Sequence, residues 1–230
     1  MKKVSIASVL LILCSTSLWA QLARIKDKDG YVNVRSKPDA SSSILEKALE
    51  SDVFYCHDRK GDWYPVNMER KEKRITGYIH ASRVTFIETL DPLPVKEEKT
   101  NTIVLQKDSI RVELSTKPFV KSAHTIQYHP TYKESVISID HKPVWGEDGD
   151  LPTVAYRQIQ IRMGTKQIEL PDKALANLFE PTLFNTKVNY DKQLDQLYIS
   201  SFNSDGAGGY TVVWIIKEGK YSHRTILTID

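Results

Sequence analysis

Residues 30–38 read GYVNVRSKP, and this stretch decides the fold of the first part of the chain. Val32 and Val34 alternate with polar neighbours, which is the period-two pattern of a strand buried on one face. The Ser-Lys-Pro-Asp run that follows is typical of a turn, because proline presets the bend and aspartate bonds back to the chain. The stretch therefore predicts a short strand that ends in a tight turn.

Short strands and polar breaks continue after this stretch. Residues 44–45 begin a second strand region, and residues 53–57 form a third. A Lys-Gly-Asp turn leads into GDWYPV at residues 61–66, and GYIH at residues 77–80 is a final strand before a short closing turn. So many short strands within residues 22–88 predict a small β-barrel.

Three blocks of this region resemble the bacterial SH3 (SH3b) family in order and spacing. GYVNVRSKP is similar to the LNVRSGP opening of that family, GDWYPV to its GWYKV strand and GYIH to its closing GWV block. Lys37 and Tyr78 replace the family's usual Gly and Trp, and residues 67–74 lengthen one hairpin. The resemblance covers residues 24–88 and implies a small barrel that binds a peptide, in particular a peptide of the cell wall.

The first twenty residues have the features of a secretory signal peptide. Two lysines provide a positive start, residues 4–13 supply an apolar run, and Ala20 is a small residue before the expected cleavage site. The run is too short for an N-terminal membrane anchor, and Cys14 lacks the small preceding residue of a lipoprotein signal. We expect residues 1–20 to be removed near Ala20, which sends the mature chain, without a transmembrane span, to the periplasm or outside the cell.

The mature chain is almost neutral. Subtracting Lys2 and Lys3 from 32 basic residues leaves 30, against 29 acidic ones. This balance argues against nucleic-acid binding, which needs a clustered basic surface, and the basic run at residues 69–74 is interrupted by glutamates as in a solvated hairpin tip. Cys56 is the one cysteine after the signal peptide, so we expect no internal disulfide and a buried, inert thiol in a strand.

The remaining chain predicts a second β-rich domain. Residues 89–101 contain two prolines and a charged cluster without apolar periodicity, which indicates a linker. Residues 102–230 follow as an antiparallel sheet or sandwich of no recognised family, in which residues 196–203 and 209–217 form a hairpin. One short helix is expected near residues 171–180, where a proline fits the first turn and apolar residues share a face. The predicted fold class is therefore mainly β.

The sequence contains no pattern that identifies catalytic or metal-binding residues. There is no G-x-S-x-G motif, and residues 102–230 lack the cysteine that a cysteine peptidase accompanying an SH3b domain would need. The six histidines include no HExxH pair. The EDGD run at residues 147–150 does not match an EF-hand and fits a turn better than a calcium site. We therefore expect no catalytic residue, no metal and no cofactor.

Aromatic residues are the positive evidence for a binding site. Rings with a polar tip suit a groove that accepts an extended peptide or glycan strand. The predicted groove of the first domain consists of Tyr31, Asp58, Trp63, Tyr64, Tyr78 and His80. Trp63 and Tyr64 are neighbours in a strand, so one faces the core and the other the surface. A second candidate surface consists of Trp145, Asp148 and Asp150, although Trp145 in its loop fits a cap of the core better than a binding residue.

These expectations lead to an exported, non-enzymatic binding protein whose SH3-like module binds a cell-wall peptide or a protein partner. The alternative is a periplasmic immunity or inhibitor protein that neutralises a toxin directed at the cell envelope. The signal peptide, the small β domains and the lack of a catalytic set suit both. An enzyme that uses scattered acidic residues ranks last, because no flanking pattern singles out a carboxylate pair.

Overall fold

The computed structural model describes residues 20–70 and 73–228. The predicted signal peptide up to residue 19, with Cys14, lies outside the described residues. Strands make up 57% of the described residues and helical turns 9%, and none of the described residues lies in a long helix. The mainly β fold predicted from the sequence is confirmed.

Seven short antiparallel strands form the first sheet. They are β1 (Gln21–Ile25), β2 (Tyr31–Arg35), β3 (Ile44–Leu49), β4 (Val53–Cys56), β5 (Trp63–Arg70), β6 (Lys73–His80) and β7 (Val84–Phe86). The order in the sheet is β3-β2-β6-β5-β4-β1-β7. β2 meets β6 where Arg35 lies opposite Tyr78, so the sheet curls over on itself into a half-open barrel.

Every second residue of a strand points to the same side of the sheet, and in this barrel the residues that point inward are apolar. Val34, Phe54, Val66 and Ile79 are fully buried in this core. Cys56 lies among them, and burial raises the pKa of its thiol. The predicted burial of Cys56 is confirmed.

The second part of the chain is a β-sandwich. Its strands are β8 (Asp91–Pro92), β9 (Val95–Lys99), β10 (Thr102–Lys107), β11 (Ile110–Pro118), β12 (Ile126–Tyr128), β13 (Val136–Ile139), β14 (Val154–Met163), β15 (Lys166–Glu169), β16 (Thr186–Asp191), β17 (Gln196–Asn203), β18 (Tyr210–Lys217) and β19 (Lys220–Leu227). Two five-stranded sheets have the orders β15-β14-β11-β10-β9 and β19-β18-β17-β16-β8, and β12 pairs with β13. Side chains from both five-stranded sheets meet in one core. The predicted hairpin forms as β17 and β18.

Short 3₁₀ turns are the helical elements of the described chain. They lie at Ala81–Arg83, Ile87–Thr89, Lys121–Ala123, Asp172–Ala174, Leu183–Asn185 and Gly206–Gly208. The helix predicted for residues 171–180 is thus reduced to one turn. The N–H of Phe179 donates to the carbonyl of Trp145 (2.8 Å), and that of Glu180 to the carbonyl of Val154 (3.0 Å). Hydrogen bonds to neighbouring segments replace the helical ones, while the apolar residues of the segment still reach the core.

Residues 89–101, interpreted above as a linker, form edge strands instead. β8 pairs with β16 and β9 pairs with β10, so the segment adds one strand to each sheet of the sandwich. Proline is tolerated at an edge, where no N–H is needed on the outer side. The charged side chains of β9 are all exposed, which suits an edge that must not pair with other chains. The prolines and charged residues that indicated a linker are therefore equally compatible with edge strands.

β17 and β18 are buried on both faces. One face contributes to the sandwich core, where Trp214 is fully buried and its Nε1 donates to the carbonyl of Ala174 (2.8 Å). The opposite face packs on the barrel. The contacting residues are Leu22, Val53, Tyr55 and Ile87 of the barrel with Tyr198, Val213, Ile215 and Leu227 of the sandwich. Apolar and polar residues alternate only along a strand that has one face exposed to solvent. Because both faces of β18 are covered, its sequence contains an uninterrupted apolar run at residues 212–216.

Polar contacts between barrel and sandwich are also buried. Arg24 of β1 forms an ion pair with Asp191 at the end of β16, and their side chains are only 8% and 4% exposed. Tyr55 Oη donates to Thr211 Oγ1 at 2.6 Å. Removing one charge of a buried ion pair is strongly destabilising, so the contact between the two parts requires both Arg24 and Asp191.

We expect Asp191→Asn to lower the free energy of unfolding by about 3 kcal/mol, because it leaves the Arg24 charge buried without a counter-ion. The amide keeps the shape of the side chain and an acceptor for the backbone N–H of Gln193, which Asp191 Oδ1 binds at 2.9 Å. Urea unfolding followed by tryptophan fluorescence measures the change. The control is Asp62→Asn in the exposed pair with Arg59, which should cost less than about 0.5 kcal/mol. Equal losses for the two variants would contradict the role of the buried pair.

Candidate functional site

The register of β5 and β6 decides which aromatic side chains face outward. Trp63 lies opposite His80 and Tyr64 opposite Ile79, and opposed residues share a face of the sheet. Because Ile79 is fully buried, Tyr64 points into the barrel, where its ring centroid is 5.2 Å from that of Phe86. Tyr64 was predicted for the groove but belongs to the core, whereas Trp63 and His80 face outward.

An open cleft of about 470 Å³ lies on the outer face of the barrel, and we call it the barrel cleft. Its lining includes three of the predicted residues, Tyr31, Trp63 and His80. Asn33 and Arg35 also line it, because they follow Tyr31 at every second position of β2 and so share its face. The cleft thus joins the strand that opens the barrel to the pair β5–β6.

The aromatic wall of the barrel cleft is held in place by local contacts. The Trp63 and His80 rings pack edge to face with centroids 5.2 Å apart. His80 Nδ1 accepts a hydrogen bond from the backbone N–H of Ser82 at 3.3 Å, which caps the 3₁₀ turn after β6. An accepting Nδ1 leaves the proton of a neutral His80 ring on Nε2. The wall therefore combines a flat indole with an imidazole N–H donor.

Charged side chains border this wall. Arg83 forms an ion pair with Asp27, and Asp27 Oδ1 accepts the N–H of Asp29 at 2.9 Å. Arg35 Nη1 donates to the carbonyl of Ser42 at 2.6 Å. Both signs of charge therefore lie beside flat apolar rings, an arrangement that suits an extended polar chain with apolar side groups.

Tyr31 and Asn33 show two further features of the barrel cleft. Tyr31 is 38% exposed, and Lys47 Nζ lies 4.0 Å from its ring centroid, within the range of a cation–π contact. Asn33 Oδ1 is buried and accepts no hydrogen bond from the described residues.

The other two predicted groove residues lie outside the barrel cleft. Tyr78 is on the outer face, opposite Pro65, and Lys60 Nζ is 6.0 Å from its ring centroid. Asp58 is exposed in the loop between β4 and β5. Asn33 and Arg35 line the barrel cleft but were not predicted for the groove. They follow Tyr31 at every second position of β2, so the alternation in the sequence was sufficient to predict them.

Residues 30–85 match the family model of the bacterial SH3 domain. The barrel is a bacterial SH3 domain. The match includes Tyr31, Trp63 and His80, so the aromatic wall of the barrel cleft lies within the SH3 domain. No curated protein and no solved structure matches the chain.

The second predicted surface lies on the sandwich, away from the SH3 domain match. Trp145 is half-buried and packs on the sandwich core, with its ring centroid 6.4 Å from that of Tyr210, so it caps the core. Asp148 and Asp150 are exposed in the same loop and line an open cleft of about 700 Å³. We call it the acidic cleft, after its five carboxyl side chains, those of Glu147, Asp148, Asp150, Glu180 and Asp205.

Like charges surround Glu147 in the acidic cleft. Desolvation, repulsion by Glu180, Asp150 and Asp205, and a hydrogen bond with Glu180 raise the pKa of Glu147 to about 7. Glu180 is held by the backbone N–H of Thr153, which donates to its Oε1 at 2.5 Å. Glu180 and Asp205 are far in sequence from the Glu147 loop, and no local pattern connects them, so sequence reasoning missed them.

No helix in the described ranges is long and apolar enough to cross a membrane. Within the same ranges, no three His, Cys, Asp or Glu side chains are grouped so as to hold a metal ion.

The raised pKa of Glu147 predicts how stability depends on pH. The folded state prefers the neutral carboxyl of Glu147. The contribution of Glu147 to the free energy of unfolding is therefore fully present below the ordinary glutamate pKa and is lost as pH rises through about 7. We expect the free energy of unfolding of Glu147→Gln to fall less between pH 5 and 8 than that of the wild type, by urea denaturation at each pH. Glu134→Gln, an exposed carboxyl outside the cleft, serves as the control and should keep the wild-type slope. An unchanged slope in Glu147→Gln would refute the assignment.

Proposed function

We propose that the protein is an exported, non-enzymatic binding protein that holds a cell-wall peptide in the barrel cleft of its SH3 domain. An SH3 domain of this family is a binding module, often connected with the cell wall. Residues 1–20 support export, since they have the three parts of a secretory signal. The burial and raised pKa of Cys56 support the absence of thiol catalysis, because the thiolate is the nucleophile.

The observation that carries the proposal is the open aromatic wall formed by Trp63, His80 and Tyr31. The SH3 domain packs on the sandwich through other residues, among them Val53 and Tyr55. Docking of the two parts therefore leaves the barrel cleft open. Flat rings bury a large ligand area at low cost in side-chain entropy, and the neighbouring amide and guanidinium groups can bind the backbone of a peptide.

We expect the full mature chain to sediment with purified sacculi, and Trp63→Ala to reduce the bound fraction about tenfold, as truncation of a central aromatic contact does. Tyr132→Ala is the matched control, because Tyr132 is a 69% exposed aromatic residue of the sandwich, and it should bind like the wild type. Circular dichroism confirms that both variants fold. Equal retention of Trp63→Ala and the wild type would refute binding in the barrel cleft.

A second candidate function is that of an envelope immunity or inhibitor protein, with a toxin as the partner. The acidic cleft favours it, because a field of one sign steers an oppositely charged protein and strengthens specific association. Loss of the gene should sensitise cells to a toxin encoded beside it, and the purified protein should abolish the activity of that toxin. Full toxin activity in the presence of excess protein would exclude this candidate.

A further inference from the structure

Three chain segments form the walls of the acidic cleft, and hydrogen bonds from side chains to backbone carbonyls hold them in place. They are the loop at residues 146–150, the segment at residues 179–185 and the turn at residues 204–208. Ser204 Oγ donates to the carbonyl of Gly146 at 2.7 Å, and Tyr210 Oη donates to the carbonyl of Phe179 at 2.9 Å. A Cβ atom at Gly146 would lie 2.2 Å from that same carbonyl oxygen, so only glycine permits this approach. The cleft is therefore preformed.

The charge of this cleft is not compensated. Its lining includes five carboxyl groups and no lysine or arginine. None of the five forms an ion pair with another residue in the described part of the chain. The mature chain as a whole is close to neutral, so this is a local concentration of negative charge with low-dielectric walls, which attracts cations.

An apolar shelf adjoins the carboxylates. Phe184 is 69% exposed and lines both the acidic cleft and a neighbouring groove of about 1010 Å³. Pro181 and Val154 line both as well. An exposed aromatic ring on an apolar shelf, rimmed by charge, is typical of a protein interaction site.

We propose that the acidic cleft binds a basic segment of a partner protein, with a lysine or arginine among the carboxylates and an adjacent apolar side chain on Phe184. The charge of the cleft selects the cation, and the shelf selects a polypeptide, because a small cation would leave Phe184 uncovered. The groove beyond Phe184 gives the segment room to continue. The proposal concerns the sandwich and does not depend on the barrel cleft.

Binding of a cation in this cleft is linked to the ionisation of Glu147. The groups that face Glu147 are Asp150 of its own loop, Glu180 of the second segment and Asp205 of the β17–β18 turn. All are acidic, so a bound lysine or arginine relieves their repulsion and lowers the pKa of Glu147. Binding therefore releases a proton near neutral pH, and affinity rises between pH 6 and 8.

The test uses the full mature chain and a fluorescein-labelled octapeptide of alternating leucine and lysine, with binding read from fluorescence polarisation. The double variant Asp150→Asn/Asp205→Asn should weaken binding about tenfold, and Phe184→Ser should weaken it as well. The charge-matched control Glu134→Gln/Glu169→Gln changes exposed carboxyls outside the cleft and should bind within about twofold of the wild type. Glu147→Gln should remove most of the pH dependence. Trp63→Ala should bind the octapeptide normally, which separates this site from the barrel cleft.

Several results would overturn the proposal. Equal weakening by the charge-matched control would mean unspecific attraction, and equal binding of an octapeptide with serine in place of leucine would mean that Phe184 takes no part. Calcium that binds to the wild type and not to the Asp150→Asn/Asp205→Asn variant, without octapeptide binding, would identify a cation site. A dimer in sedimentation equilibrium that Phe184→Ser dissociates, again without octapeptide binding, would identify a second copy of the chain as the occupant.

Discussion

The sheet that contains β17 and β18 is covered on both faces, and the arrangement of the molecule depends on this double burial. On one side Trp214 lies in the sandwich core, and on the other Tyr198 and Val213 meet the SH3 domain. Separation of the two parts would expose a continuous apolar surface. The Arg24–Asp191 pair adds a directional contact to this non-directional force, because the attraction between buried charges offsets their desolvation only when their geometry is good. The two clefts consequently have fixed positions relative to each other.

The fold of the SH3 domain was predictable from sequence because its signals are local. Strand alternation at residues 31–35 and the turns that punctuate it need no knowledge of the remaining chain. The strands of the sandwich were also predictable in part, as for the hairpin β17–β18. The helix expected at residues 171–180 and the linker expected at residues 89–101 failed for one physical reason. Their backbone groups bond to segments distant in sequence, and such tertiary partners override local propensity.

The two candidate sites also differ in how far local sequence signals could predict them. Strand alternation showed that either Trp63 or Tyr64 faces outward, but only the pairing of Tyr64 with buried Ile79 decides between them. The barrel cleft was therefore predictable in composition and not in orientation. The acidic cleft was visible in the sequence only as the EDGD run at residues 147–150, because Glu180 joins these carboxylates through an irregular segment at positive φ. Sequence shows a charge, but whether several charges converge depends on tertiary structure.

The edge of β3 has its backbone groups paired with side chains, whereas the acidic cleft is left open, and this contrast supports a binding role for the acidic cleft. At the edge of β3, Asp52 accepts the N–H of Leu49 at 2.7 Å, and Arg70 donates to the carbonyl of Lys47 at 3.2 Å. These side chains occupy edge groups that could otherwise pair with a foreign strand. The same chain leaves Phe184 and a set of mutually repelling carboxylates open to solvent. Repulsion within the folded state costs stability, and departures from local consistency of this kind concentrate at functional sites.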